Sequence, residues 1–269
     1  MTQARELDPS ASVLAYFGSE LRRFRTAADM TQGQLGEAIN YTGALVGLVE
    51  TAKRTPAREF AELCDEVLNT DGALIRLWPL LNRAVYPSWF RGYVDLEATA
   101  TRILSFDVQL VPGLLQTENY ARAVLLAGRH PNIDELVAAR LDRQHILNQQ
   151  HPPLYWVVLD EGVLRRRIGG PYVMREQLKR LVEVASSPRI VVQVLPYDAG
   201  AHAGVDGPLT ILSFDEGTDA VYIEGIGSGQ LMTRPDEVER CHLIYDLVRA
   251  VALSPEASVD MIAATMEEL

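Results

Sequence analysis

The stretch from Thr31 to Pro56 constrains the fold most, because its caps, apolar spacing and turn leave little freedom in how it folds. Thr31, followed three residues on by Gln34, has the spacing of a capping box. Leu35, Ala38 and Ile39 then give the helix it opens one apolar face. Asn40 stands where that helix must stop, since Asn tolerates the left-handed backbone on which helices commonly end. Thr42 caps a second helix. Its residues Leu45, Val46 and Val49 recur at helical spacing and can pack on Leu35 and Ile39. Two short capped helices with complementary faces and a tight turn make a helix-turn-helix, whose second helix usually enters the major groove of DNA.

The segment resembles the helix-turn-helix of the phage-repressor-like (xenobiotic-response-element) regulators. The resemblance is carried by Thr31-Gln32, by the apolar positions Leu35, Ile39, Val46 and Val49, and by the exit from Glu50 to Lys53-Arg54-Thr55-Pro56. Two departures stand out. Asn40 replaces the usual turn glycine, and Gly43, Ala44, Gly47 and Leu48 occupy places where such regulators often carry polar side chains. With Leu45, Val46 and Val49 turned inward, Gly43, Ala44, Gly47 and Thr51 are expected to form a nearly bare opposite face that fits deep in the groove. The residues expected at DNA are therefore Thr31, Gln32, Thr42, Gly43, Ala44, Gly47, Thr51, Lys53 and Arg54. So few polar groups imply few bidentate base contacts, and reading through DNA shape and thymine methyls.

Around this motif the periodicity predicts an all-α domain of about five helices over residues 12–84, preceded by a loose arm at residues 1–11. Val13, Phe17, Leu21 and Phe24 mark the first helix. Phe60, Leu63, Cys64 and Val67 mark the fourth, and Leu74, Leu77, Trp78 and Leu81 the fifth. The net charge of -11 excludes a chain that coats nucleic acid with its whole surface. Most of the acidic excess falls beyond residue 83, while Arg22, Arg23 and Arg25 before the motif and Lys53, Arg54 and Arg58 after it could hold phosphates. Two cysteines cannot build a disulfide framework, no apolar run could span a bilayer, and no leader is evident, so a cytoplasmic chain is expected.

Pro87 marks a boundary, because proline biases its preceding residue away from helix. Residues 86–269 read as a second, mixed α/β domain, making the chain α+β overall. Residues 103–107 could be extended. Pro112-Gly113 predicts a turn of type II, and Thr117 caps a helix to about Ala127. A long helix is expected from Ile133 to Gln149 and another from Met174 to Ala185, with strands at 154–159, 190–195, 209–214 and 220–224. Two helices follow, from Pro235 and from Ser254-Pro255.

This part, through Trp89-Phe90, Val111 to Ala123 and Leu195-Pro196-Tyr197, resembles the domain that follows the helix-turn-helix in actinobacterial regulators of the WhiJ type, also described as antitoxin-like. The resemblance implies a DNA-binding regulator that often works with a small acidic protein encoded beside it.

No catalytic constellation stands out. Gly225-Ile226-Gly227-Ser228-Gly229 fits neither a phosphate loop nor a nucleophile elbow and reads as a turn between strands. The five histidines share no metal-ligand spacing, His202 reads as a loop residue, and the pairs Asp160-Glu161 and Asp215-Glu216 as strand ends. The expectation is a transcription regulator without cofactor or metal, not an enzyme, binding double-stranded DNA as a homodimer and receiving its signal from a small protein. The alternative is an antitoxin-type protein that neutralises such a partner and binds DNA weakly.

Overall fold

The computed structural model describes residues 7–130 and 132–269, and within them all side chains but those of Asn82 and Ala84. The expected loose arm lies outside these residues up to position 6. Its remainder is a turn in which Asp8 accepts from the amide and hydroxyl of Ser10. The chain divides into two compact units between Tyr86 and Pro87.

The first unit is all helix: α1 (Val13–Ala27), α2 (Gln32–Ala38), α3 (Gly43–Glu50), α4 (Arg58–Leu68) and α5 (Ala73–Val85). Each apolar face read from spacing supplies the core, where Phe17, Leu21, Leu35, Ile39, Val46 and Val49 meet Phe60, Cys64, Leu74 and Trp78. Ala38 is exposed instead. Both expected caps form. Thr31 and Gln34 close a complete capping box on α2, and the Thr42 hydroxyl accepts from Leu45 N. Asn40, at φ 59°, ends α2 in the left-handed conformation, with Tyr41 N donating to Gly36 O at 2.7 Å. The N-terminus of α5 is capped from a distance. Asp65 of α4 accepts from Leu74 N at 2.9 Å and Ile75 N at 2.7 Å, and also from the Thr70 hydroxyl.

The second unit is built on one six-stranded sheet in the order β3-β2-β1-β4-β5-β6. Its strands are β1 (Arg102–Asp107), β2 (Leu154–Asp160), β3 (Ile190–Leu195), β4 (Leu209–Ser213), β5 (Ala220–Gly225) and β6 (Ser228–Met232). The first three run parallel and the last three extend the sheet antiparallel from β1. Parallel pairs need long crossovers, and these carry helices α7 (Glu118–Ala127) and α8 (Ile133–Arg143) after β1, then α9 (Glu161–Arg165) and α10 (Pro171–Val184) after β2. Together with α6 (Ser88–Glu97) and the terminal α12 (Pro255–Glu267) they accompany the larger core, which takes Ile103, Tyr155, Val157, Val192 and Tyr222 from the sheet. The alternate residues Leu104, Phe106, Val158, Ile211 and Val221 pack on the other face against α11 (Pro235–Val251). The β3 edge is covered: Val194 donates to Ser258 Oγ at 2.9 Å and accepts from Leu253 N at 2.9 Å.

Two local readings are corrected. Gly113 lies in a 3-10 turn, Gly113–Leu115, and not in a type II turn, because its φ is not positive. The helix from Ile133 stops at Arg143 and tightens into a 3-10 segment, where the Gln144 amide binds Gly113 O and Gln116 O. The helices α6 and α9 are additional to those expected from the sequence.

Candidate functional site

The α2–α3 pair is locked by close backbone approach. A Cβ at Gly36 would lie 2.6 Å from Gly43 N, and one at Gly43 would lie 2.8 Å from Gly33 Cα. A Cβ at Gly47 would lie 3.0 Å from Gln32 Oε1. The bare face expected on α3 is therefore corrected in part. Gly43 and Gly47 are small because α2 lies against them, and they do not share the outward surface with Ala44.

The outward surface of α3 is formed by Thr42, Ala44 and Leu48, all exposed, with Leu45 and Thr51 partly so. Leu48 sits one helical turn after Ala44, so its spacing already places it on this face. The Thr51 hydroxyl donates to Gly47 O at 2.7 Å, which commits it to the helix end. Thr31 is exposed at the start of α2. Lys53 and Arg54 are exposed just beyond α3, on a turn set by Ala52 at φ 55° with Lys53 N bonded to Leu48 O at 2.9 Å.

Beneath this surface lies a buried charge. The Glu50 carboxylate is fully enclosed and accepts from Arg25 Nε at 2.5 Å, Arg25 Nη2 at 3.0 Å and Gln32 Nε2 at 2.7 Å. Arg22 Nε stands 3.6 Å away. The structure thus draws Gln32, Arg22 and Arg25 inward, and Arg23 pairs with Glu20 at 2.6 Å. The basic cluster before the motif is scaffold. It fixes α1, the start of α2 and the end of α3 to one another, while Lys53 and Arg54 remain at the surface.

The residues of the second unit singled out for chemistry stay apart. His202 accepts from Gly204 N at 3.2 Å and stands edge-on to Phe106. His242 meets Asp219 at 2.8 Å, and the same carboxylate oxygen accepts from Ser213. Aspartate, not histidine, is central, so the serine has no base beside it. Gly225 and Ser228 close a two-residue hairpin turn, with Gly227 at φ 69°. Asp160 caps α9, and Glu161 accepts from Tyr197 N. Among the described residues no group of three or more His, Cys, Asp or Glu could hold a metal ion, and no helix is long and apolar enough to cross a membrane.

Residues 17–78 match the model of a helix-turn-helix domain, which marks the chain as resembling a transcriptional regulator of the DNA-binding kind. Residues 90–264 match the model of a domain of unknown function, DUF5753. No curated protein and no solved structure matches the chain. Since the second model spans well over half of the sequence, the chain belongs to the DUF5753 family, with a helix-turn-helix domain placed before its defining domain.

Proposed function

We propose that the protein is a sequence-specific DNA-binding transcription regulator in which α3 lies in the major groove. Thr42, Ala44 and Leu48 face the bases, Lys53 and Arg54 hold phosphates, and the α3 N-terminus adds partial positive charge. The observation that carries this reading is the outward face of α3. It is exposed and uncharged, with Thr42 its one hydroxyl, on a helix whose opposite side is fixed by Glu50 and the glycine contacts. A face of this kind meets thymine methyls and follows groove shape, and makes few hydrogen bonds to bases.

In this reading the second unit dimerises and receives the signal, and the chain performs no reaction. Pairing two units across half-sites about 34 Å apart raises affinity and specificity together. The row Leu243, Leu247 and Val251 on α11, each about half exposed, supports a second copy packing there. The resemblance of Trp89-Phe90, Val111 to Ala123 and Leu195-Pro196-Tyr197 to the WhiJ-type actinobacterial regulators favours a small acidic protein as the signal. Mapping genomic sites of the tagged protein, with and without its neighbouring small protein, tests the assignment. Discrete sites whose occupancy changes with the partner support it, and binding indifferent to sequence overturns it.

A further inference from the structure

A cavity of about 500 Å³ opens in the second unit at the C-terminal end of β1, on the face of the sheet that carries the larger core. Its aromatic lining is Phe90 and Tyr93 from α6, Tyr155 from β2 and Tyr222 from β5. Tyr93 and Tyr222 stack at 4.3 Å between centroids. Asp107, the last residue of β1, and Glu224 at the mouth supply carboxylates. This size suits a small organic ligand, and mixed sheets commonly bind ligands beyond the carboxyl ends of their parallel strands.

The polar groups of the wall divide into two sets. The cations already have partners: Glu97 takes both Arg143 Nε and Arg143 Nη2 at 2.7 Å, and Gln116 accepts from Arg140 Nη1 at 3.0 Å. Arg143 also lies over the Phe90 ring at 4.9 Å. Of the acids, Glu224 feels the nearby charges of Arg140 and Arg143, whereas Asp107 is less well matched. Asp107 accepts a hydrogen bond from Ser105 at 2.8 Å, and no basic side chain pairs with it among the described residues. The Tyr222 hydroxyl is buried without a hydrogen-bond partner, in space that exists because residue 229 is glycine. Burial, with the nearby charge of Glu224, pushes the Asp107 carboxyl up to about 7, as expected of an acid lacking its counter-ion.

We infer that this cavity binds a small organic cation, a protonated amine carrying an apolar or aromatic body. The ammonium group would sit between Asp107 and Glu224, with the body against Tyr93, Tyr222 and Phe90. Aromatic faces attract cations, and the Asp107 carboxyl, which has no basic partner among the described residues, supplies charge that an anion would have to oppose. His130 at the rim and the two arginines are the groups an anionic ligand would use instead. This inference does not rest on DNA binding, since the cavity belongs wholly to the second unit.

Calorimetric titration of the full chain with phenethylamine, 2-phenylethanol and phenylacetate tests it, because the three probes differ chiefly in charge. The expected result is saturable binding of phenethylamine at submillimolar concentration, at least about tenfold weaker for the alcohol and weaker still for phenylacetate. Asp107→Asn and Glu224→Gln should each weaken phenethylamine about tenfold with the far-ultraviolet circular dichroism unchanged. Tyr222→Phe should have a smaller effect. Preference for phenylacetate, absence of saturable phenethylamine binding, or affinity unchanged in both carboxylate variants would overturn the proposal.

Discussion

The two units treat buried charge in opposite ways. In the first, every buried acid among the described residues is matched: Glu50 by Arg25 and Gln32, and Asp65 by two helix amides and Thr70. These groups hold helices in place, and the outward face of α3 carries Thr42, Ala44 and Leu48 and no charge. In the second, Glu97 is matched in the same manner by Arg143 and Tyr93, but Asp107, which lines one cavity with it, has no basic partner among the described residues, and the Tyr222 hydroxyl is buried without a hydrogen bond. A matched buried charge is architecture, because removing one partner strands the other. An unmatched one marks a place where the fold tolerates a cost that a ligand could relieve.

The comparison can be broken by single substitutions. The largest effect is expected from Glu50→Ala, which strands Arg25 in the interior and should destabilise the first unit by about 4 kcal/mol in a denaturant melt. Asp65→Ala should follow at about 3 kcal/mol, since it leaves the start of α5 with buried, unsatisfied amides. Asp107→Asn should act with the opposite sign. An acid whose folded value is raised from 3.8 to about 7 favours folding fully only at low pH, and that contribution is lost as pH climbs to 7. The Asn variant should therefore gain on the wild type by a few kcal/mol between about pH 4 and 7 and gain no more above that, read from melts across the range. A difference that instead favoured the wild type as pH rose would place Asp107 among the matched acids. The smallest effect is expected at the end of α3. Ala52 adopts a left-handed backbone that glycine enters more readily, so Ala52→Gly should stabilise by about 0.5 kcal/mol.

What could be read from the sequence follows the range of the interactions involved. The caps at Thr31 and Thr42, the left-handed Asn40 and the apolar faces of α1 to α5 act within a turn or two of helix, and all were legible there. The Glu50 hub was not, because Arg25 and Gln32 lie 25 and 18 residues away and a basic run before a motif looks the same whether it faces solvent or a buried acid. The expected smooth face of α3 failed for the same reason. Glycine records a close approach without recording by what, and here the neighbour is α2. In the second unit the strands were legible from alternation, but their order was not. Asp107 and Tyr222 meet only because β4 lies between β1 and β5 in register, with Thr210 opposite both Ser105 and Tyr222.

The central claim is that the outward side of α3 reads DNA, and Ala44→Glu measures it most directly. Ala44 is exposed, so the substitution should leave the melting temperature nearly unchanged. On a mapped genomic site at fixed salt, repulsion between the new carboxylate and DNA should lower affinity at least about 100-fold. Lys53→Ala with Arg54→Ala should instead weaken specific and random DNA alike and flatten the salt dependence. Full site affinity in a stably folded Ala44→Glu protein would contradict the account.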